Sequence, residues 1–272
     1  MSESINNPKF NYYEAQKDKI GFKGDFVTAP EISQIFGELV GIWCANVWSI
    51  LGSPKEFNLV ELGPGNGTLI TDVLRTLRYV PKFIEYSSIH LIETSETLKQ
   101  LQSRKLKDYK IFWHKNLSSV PNQTDIIFSN EFLDTFPIHQ YDYTETGWTE
   151  KFIGVDENKK LCFINKAIPK ELLVNIGDIP LNSTIEFSPS MNSYFQIIAD
   201  RIKENGGCAL FIDYGYEKPT YKSTLNAILN HNIVEILDNV GNIDLSAHVD
   251  FSQLNVLAKK IGVHNYGIIT QS

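Results

Sequence analysis

A carboxylate followed by three alternating glycines carries the clearest chemistry in this chain: Asn58-Leu59-Val60-Glu61-Leu62-Gly63-Pro64-Gly65-Asn66-Gly67-Thr68. An apolar strand runs into an E-x-G-x-G-x-G loop, and a helical pattern opens at Thr68. Glycine has no Cβ, so the chain can turn with positive φ and a ligand can lie against bare backbone. The helix start offers free N–H groups and partial positive charge to a carboxylate, which suits the methionine end of S-adenosylmethionine. The dehydrogenase spacing G-x-G-x-x-G and the P-loop G-x-x-x-x-G-K-[ST] are both absent. An adenosine site also needs an acidic residue ending the next strand, where two oxygens can accept both ribose hydroxyls. Ser88-Ile89-His90-Leu91-Ile92-Glu93 supplies Glu93. A glycine-rich turn alone serves equally as a tight strand-to-helix connection; its pairing with Glu93 carries the nucleotide reading.

A second group of carboxylates follows the apolar run Asp125-Ile126-Ile127-Phe128, in Ser129-Asn130-Glu131-Phe132-Leu133-Asp134-Thr135-Phe136-Pro137. Glu131 and Asp134 stand three residues apart, a spacing that on a helical turn directs both to one side. Such a pair can grip one guanidinium, whose planar fork matches carboxylates and can be aligned with a methyl donor. The alternative is that Asp134 caps a helix, or that both are solvated. Asp213, in Asp213-Tyr214-Gly215, either lines the same edge or caps a strand end. His248-Val249-Asp250 offers a general base or a metal pair, but no H-E-x-x-H or His/Cys cluster accompanies it, so no metal is expected. No G-x-S-x-G elbow supports hydrolase chemistry.

These side chains need a frame. With 272 residues and 42% apolar content the chain can bury a full core. Its net charge of −7 argues against a nucleic-acid partner. Cys44, Cys162 and Cys208 are widely spaced and odd in number, which suits buried residues in a reducing compartment. The longest apolar stretch, residues 39–51, is well below the ~20 residues of a membrane span and reads as a buried helix, so no membrane insertion is expected. Residues 1–19 lack signal-peptide or transit-peptide character, which reads as a protein acting in a bacterial cytoplasm, with the mitochondrial matrix as the alternative.

Strand and helix patterns alternate: strand 57–62, helix 68–78, strand 88–93, helix 95–105, strands 110–114 and 124–129, helix 192–204, strand 207–213. This predicts an α/β fold with a doubly wound, mostly parallel sheet and ligands at the strands' carboxyl ends. Residues 138–190 interrupt the alternation with hairpin-like strands, turning at Gly147 and at 156–160, and read as an inserted β-rich substrate region. The domain reading is an amino-terminal segment, 1–51, over the cofactor site; a core of 52–137 and 191–272; and the insertion.

The motifs together resemble one family, the MidA-like S-adenosylmethionine-dependent methyltransferases related to a mitochondrial complex I assembly factor that methylates arginine. The matching residues are Gly24-Asp25-Phe26-Val27-Thr28-Ala29-Pro30-Glu31-Ile32-Ser33 with Phe36-Gly37-Glu38, the glycine loop, the segment from Ser129 to Pro137, Ile212-Asp213-Tyr214-Gly215, and Asp244-Leu245-Ser246-Ala247-His248-Val249-Asp250-Phe251. The likeness extends over about residues 12–270, and its first and third motifs are close to family-specific.

The resemblance implies a Rossmann-like class I methyltransferase core with an amino-terminal helical extension. It implies that Gly63, Gly65 and Gly67 cradle the cofactor's methionine portion, with Glu61 and Asn130 also at the cofactor. Glu93 would take the ribose, Asn116 and Leu117 would lie near the adenine, and Thr28, Pro30 and Glu31 would close the pocket. Glu131 and Asp134 would orient the acceptor. The implied activity is arginine N-methylation of a protein, a core subunit of respiratory complex I. The chain looks shorter than such relatives at both ends, so the alternatives are a non-catalytic or truncated assembly chaperone of this fold and a methyltransferase for another protein or a small molecule.

Overall fold

The wholly buried strand β1 (Phe57–Leu62) is the axis of the structure. Phe57, Leu59, Val60 and Leu62 supply apolar side chains to both faces, as a strand covered on both sides requires, and the polar Asn58 and Glu61 are buried with them. It pairs in parallel with β2 (Ser87–Ile92) on one side and β4 (Asp125–Asn130) on the other. With β3 (Ile111–His114) and β9 (Gly207–Ile212), numbered along the chain, the sheet runs β3-β2-β1-β4-β9. The winding therefore reverses between β1 and β4, and a crevice opens there at the strands' carboxyl ends. The computed structural model describes residue 1 and residues 28–169, 178–229 and 231–271. The Gly24 to Val27 part of the motif that begins at Gly24, and the rest of residues 2–27 of the amino-terminal segment, lie outside the described residues.

On one face of the sheet, α3 (Thr68–Leu77) buries Leu69, Ile70, Val73, Leu74 and Leu77. Against it lies α2 (Gln34–Ile50), entered through the short helix α1 (Ala29–Ile32) with Pro30 in its first turn. The stretch read as a buried helix is buried on one side only. Gly37, Gly41 and Cys44 form its inner face, while Ile35, Leu39, Ile42 and Ile50 are exposed. The reason is close approach: a Cβ on Gly37 would stand 2.5 Å from Asp72 Cβ, and one on Gly41 would stand 2.9 Å from Thr76 Cβ. Small residues face the neighbouring helix, so the large aliphatics point outward.

The opposite face is covered by α6 (Pro189–Asn205) and α7 (Phe251–Ile261), which share a cluster of Met191, Phe195, Ala199, Leu254 and Ala258. α6 starts earlier than its apolar period suggests, because the Ser188 hydroxyl accepts the Met191 N–H and Pro189 fits the first turn. Arg201 of α6 is fixed to β4: its Nε donates to Asp125 Oδ2 at 2.9 Å and its Nη2 to Asp125 Oδ1 at 3.1 Å. The same guanidinium takes the carbonyls of Val120 and Pro121.

Between β4 and α6 the chain builds an antiparallel sheet, β7-β6-β5-β8, from β5 (His139–Thr144), β6 (Gly147–Val155), β7 (Leu161–Ala167) and β8 (Ser183–Phe187). The turn at 156–160 closes because Asp156 Oδ1 accepts the N–H groups of Asn158 and Lys160. β8, which the sequence pattern does not show, pairs with β5 and returns the chain to α6.

Candidate functional site

At the reversal of winding lies a cavity of about 340 Å³, lined by the ends of β1, β2 and β4 and by α1. Gly63, Gly65 and Gly67 all have positive φ, at 63°, 51° and 74°, and Gly67 N-caps α3. Gly63 and Gly65 line the cavity, and Gly67 sits behind them. A Cβ on Gly63 would come within 2.7 Å of Phe132 Cδ2, so glycine is required there for space as well as conformation.

Two buried glutamates face this loop. Glu61 is 2% exposed, and its Oε2 has no hydrogen-bond partner. Burial, reinforced by the charge of Glu93, raises its pKa well above the usual carboxylate range. A buried acceptor without a donor is costly, and here it lines a cavity that a cationic ligand could enter. Glu93 Oε1 accepts the Ser95 N–H at 2.8 Å and its Oε2 accepts Gln102 Nε2 at 3.2 Å. Burial raises its pKa against those bonds. Gln102 also donates to the Gly65 carbonyl at 2.8 Å and accepts from Trp113 Nε1 at 2.8 Å. One fully buried amide therefore sets the distance between the glycine loop and Glu93.

Across the cavity, α1 contributes Pro30 and Glu31, and Thr28 joins them from the position just before the helix. Glu31 Oε1 accepts the Thr68 hydroxyl at 2.6 Å, and the Ala29 N–H bonds the Glu131 carboxylate. The segment thus spans from the start of α3 to the end of β4. At that end stand Asn130, Glu131, Phe132, Thr135, Phe136 and Pro137, joined by Tyr194 of α6. Glu131 has φ of 49°, a strained value for a residue with a side chain. Asn130 Nδ2 donates to it at 3.2 Å, yet burial still raises its pKa. None of the ion pairs among the described residues involves it. Phe132, Phe136 and Tyr194 form a mutual ring cluster with centroids 5.4–5.5 Å apart.

The structure brings together Thr28, Pro30, Glu31, Glu61, Gly63, Gly65, Glu93, Asn130 and Glu131. Asp134 stands apart from the cavity lining. The left-handed backbone at Glu131 leads into a 3₁₀ turn, Leu133–Thr135, so the three-residue spacing does not act as a helical turn. Asp134 is 8% exposed with an unpartnered Oδ1, and burial and the charge of Asp213 raise its pKa. Asn116 precedes a 3₁₀ turn and bonds Ser118, while Leu117 packs with Val60, Leu62 and Ile92; neither lines the cavity, though Lys115 does. Asp250 caps α7. Sequence reasoning missed Gln102 and Tyr194. Gln102 interrupts the apolar row of Leu98 and Leu106 at helical spacing, a signal that a polar group is needed inside. Among the described residues no group of three or more His, Cys, Asp or Glu could hold a metal ion. No helix among them is long and apolar enough to cross a membrane.

Comparison with known proteins agrees with this geometry. A family model described as "putative S-adenosyl-L-methionine-dependent methyltransferase" matches residues 39–269. A Mus musculus protein named protein arginine methyltransferase NDUFAF7, mitochondrial, is 35% identical over 95% of this chain and 65% of its own length. The Homo sapiens protein of that name is 34% identical over 95% and 64%. The chain thus spans just under two thirds of those two relatives. A Burkholderia thailandensis structure of a COG1565 superfamily member, bound to S-adenosyl-homocysteine, shares the fold with a TM-score of 0.79 at 22% identity, over 96% of this chain and 70% of that one.

Proposed function

This chain belongs to the family of S-adenosyl-L-methionine-dependent methyltransferases whose model it matches, and we propose that it is a protein arginine N-methyltransferase. The observation that carries the proposal is Glu131. It is a carboxylate without a cationic partner among the described residues, in the same cavity as the glycine loop and Glu61. The fit to the cofactor rests on this chain's own groups. Glu61, with its unpartnered Oε2, lines the cavity where a ligand donor would enter, bare backbone at Gly63 and Gly65 admits close approach, and Glu93 follows the end of β2 where ribose hydroxyls can be accepted. The names of the arginine-methylating relatives and the S-adenosyl-homocysteine in the Burkholderia protein support the same assignment.

Bound there, S-adenosylmethionine supplies a methyl group on a positively charged sulfur, open to nucleophilic displacement. Glu131 holds the acceptor guanidinium by its fork, turns one nitrogen towards that methyl and takes the proton the nitrogen sheds. Phe132, Phe136 and Tyr194 exclude water and offer ring faces to the cation. The Ala29 N–H fixes the Glu131 carboxylate from the α1 side. Asp134, outside the cavity lining, supports the turn and does not touch the acceptor in this reading.

The acceptor we propose is an arginine of a respiratory complex I core subunit. The mitochondrial names of the relatives favour the matrix over a bacterial cytoplasm. We divide the chain as the sequence suggests, with the four-stranded antiparallel sheet as the substrate-binding region. The test is incubation with methyl-labelled S-adenosylmethionine and the core subunits of complex I, read as labelled methylarginine after hydrolysis. Glu131→Gln is expected to cut the yield by about 10²-fold, the scale of a general-base contribution, with cofactor affinity unchanged. Label in lysine or in small molecules only, or equal activity in the variant, would overturn the proposal; binding without transfer would favour a holding role.

A further inference from the structure

The strain at Glu131 needs a source of support. We propose that Asp213 is a positioning residue whose carboxylate keeps Glu131 facing the cavity by fixing the backbone that follows it. The assignment rests on the reading of Glu131 as the acceptor-orienting group. β4 and β9 run in register to Asn130 and Ile212, and the Glu131 N–H still donates to the Ile212 carbonyl at 2.9 Å. From there the two chains part. Glu131 turns left-handed, and the next three N–H groups converge on one atom: Phe132, Leu133 and Asp134 donate to Asp213 Oδ2 at 3.2, 2.8 and 3.3 Å. The Tyr214 N–H holds the other oxygen, Oδ1, at 2.9 Å.

A turn's first N–H groups have no partner within the turn itself. In a buried setting each must find an acceptor or cost free energy. Convergence on a single oxygen is possible only if the peptide planes after Glu131 are rotated as they are here. The interaction therefore selects the backbone conformation that an isolated Glu-Phe-Leu segment would avoid. Phe132, which packs over Gly63 and lines the cavity, is set by the same bonds. Asp213 lies outside the cavity lining, so it acts through Glu131 and Phe132 rather than on a ligand. Burial raises the Asp213 pKa to about 7 even against four N–H donors.

Asp213→Ala and Asp213→Asn separate positioning from general stability in three measurements: calorimetric S-adenosylhomocysteine affinity, amide exchange at residues 132–134, and the rate of methylarginine formation at saturating cofactor. In Asp213→Ala we expect affinity within about threefold of wild type, faster exchange at 132–134, and a rate lower by about 10²-fold, the scale of a 1 Å misplacement. Asn keeps one oxygen for the three N–H groups, so Asp213→Asn should recover to within about tenfold of wild type by the same scale. It also serves alone if the alanine variant does not fold, since it must still lower the rate and leave affinity intact. Unchanged exchange and rate, or affinity falling in step with rate, would overturn the assignment. A wild-type chain that binds the cofactor but makes no methylarginine would count against the proposed function, and amide exchange would still decide the role of Asp213.

Discussion

Replacing Gly63 by alanine adds one methyl group at the point where the glycine loop, the cavity and the acceptor-side aromatics meet. Two costs arise. At φ of 63° an alanine is left-handed, which costs about 1–2 kcal/mol relative to glycine. At about 2–4 °C of Tm per kcal/mol, the conformational cost alone lowers Tm by roughly 2–8 °C. The second cost is contact. The new Cβ stands 2.7 Å from Phe132 Cδ2, whereas carbon atoms rest about 3.5–4.0 Å apart, so the ring must retreat by about 1 Å. Phe132 is packed against Phe136 and Tyr194, and it yields towards the cavity. S-adenosylhomocysteine affinity should then fall by at least about tenfold, or ~1.4 kcal/mol. Gly52 is the control: its φ is 82° but a Cβ there meets nothing within 4 Å. Gly52→Ala therefore carries the conformational cost without the contact. Calorimetry and thermal melts on both variants separate the two. Equal loss of Tm in both, with wild-type S-adenosylhomocysteine affinity in Gly63→Ala, would refute the placement of the ligand against this loop.

Three other perturbations probe the same account. Glu93→Ala removes an acceptor that serves the Ser95 N–H and Gln102 as well as ligand hydroxyls; at about 1.5–3 kcal/mol per charge-assisted bond, calorimetry should show at least a tenfold loss of S-adenosylhomocysteine affinity, and unchanged affinity would remove Glu93 from the site. Glu131 must be ionised to hold a cation, and burial raises its pKa. The methylation rate should therefore climb with pH through a midpoint above the ordinary glutamate value of about 4.3; a rate–pH profile whose acid limb survives in Glu131→Gln would assign that limb elsewhere. Arg201→Ala strands the buried Asp125 carboxylate and should cost about 3–5 kcal/mol, read by denaturant unfolding; a loss under 1 kcal/mol would mean that water reaches the pair.

The half of the site made from short-range patterns was legible. β1 reads as a strand from the apolar Phe57, Leu59, Val60 and Leu62, and the glycines announce positive φ directly after it. Glu93 follows from strand length. The acceptor side was legible in composition but not in orientation: Glu131 is not a residue type that signals a left-handed backbone, and what holds it is Asp213, just past the end of β9 and far along the chain. The i/i+3 argument for Asp134 assumed a helical turn that those long-range bonds replace. Gln102 was hidden for a similar reason, since its partners Gly65, Glu93 and Trp113 come from three other segments. In α2, apolar residues on both faces concealed which side packs; the small residues, rather than the large ones, marked the buried face. Local rules found the elements, and the contacts between distant segments decided which side chains line the cavity.

The most direct test of the central claim is a side-by-side calorimetric titration of S-adenosylhomocysteine into wild-type protein and Glu131→Gln. The account has the cofactor held by the glycine loop, Glu61 and Glu93, with Glu131 reserved for the acceptor. It predicts binding in the micromolar range, about −8 kcal/mol, with the same Kd in both proteins. No binding by the wild-type chain, or a Kd displaced by more than about tenfold in Glu131→Gln, would contradict it.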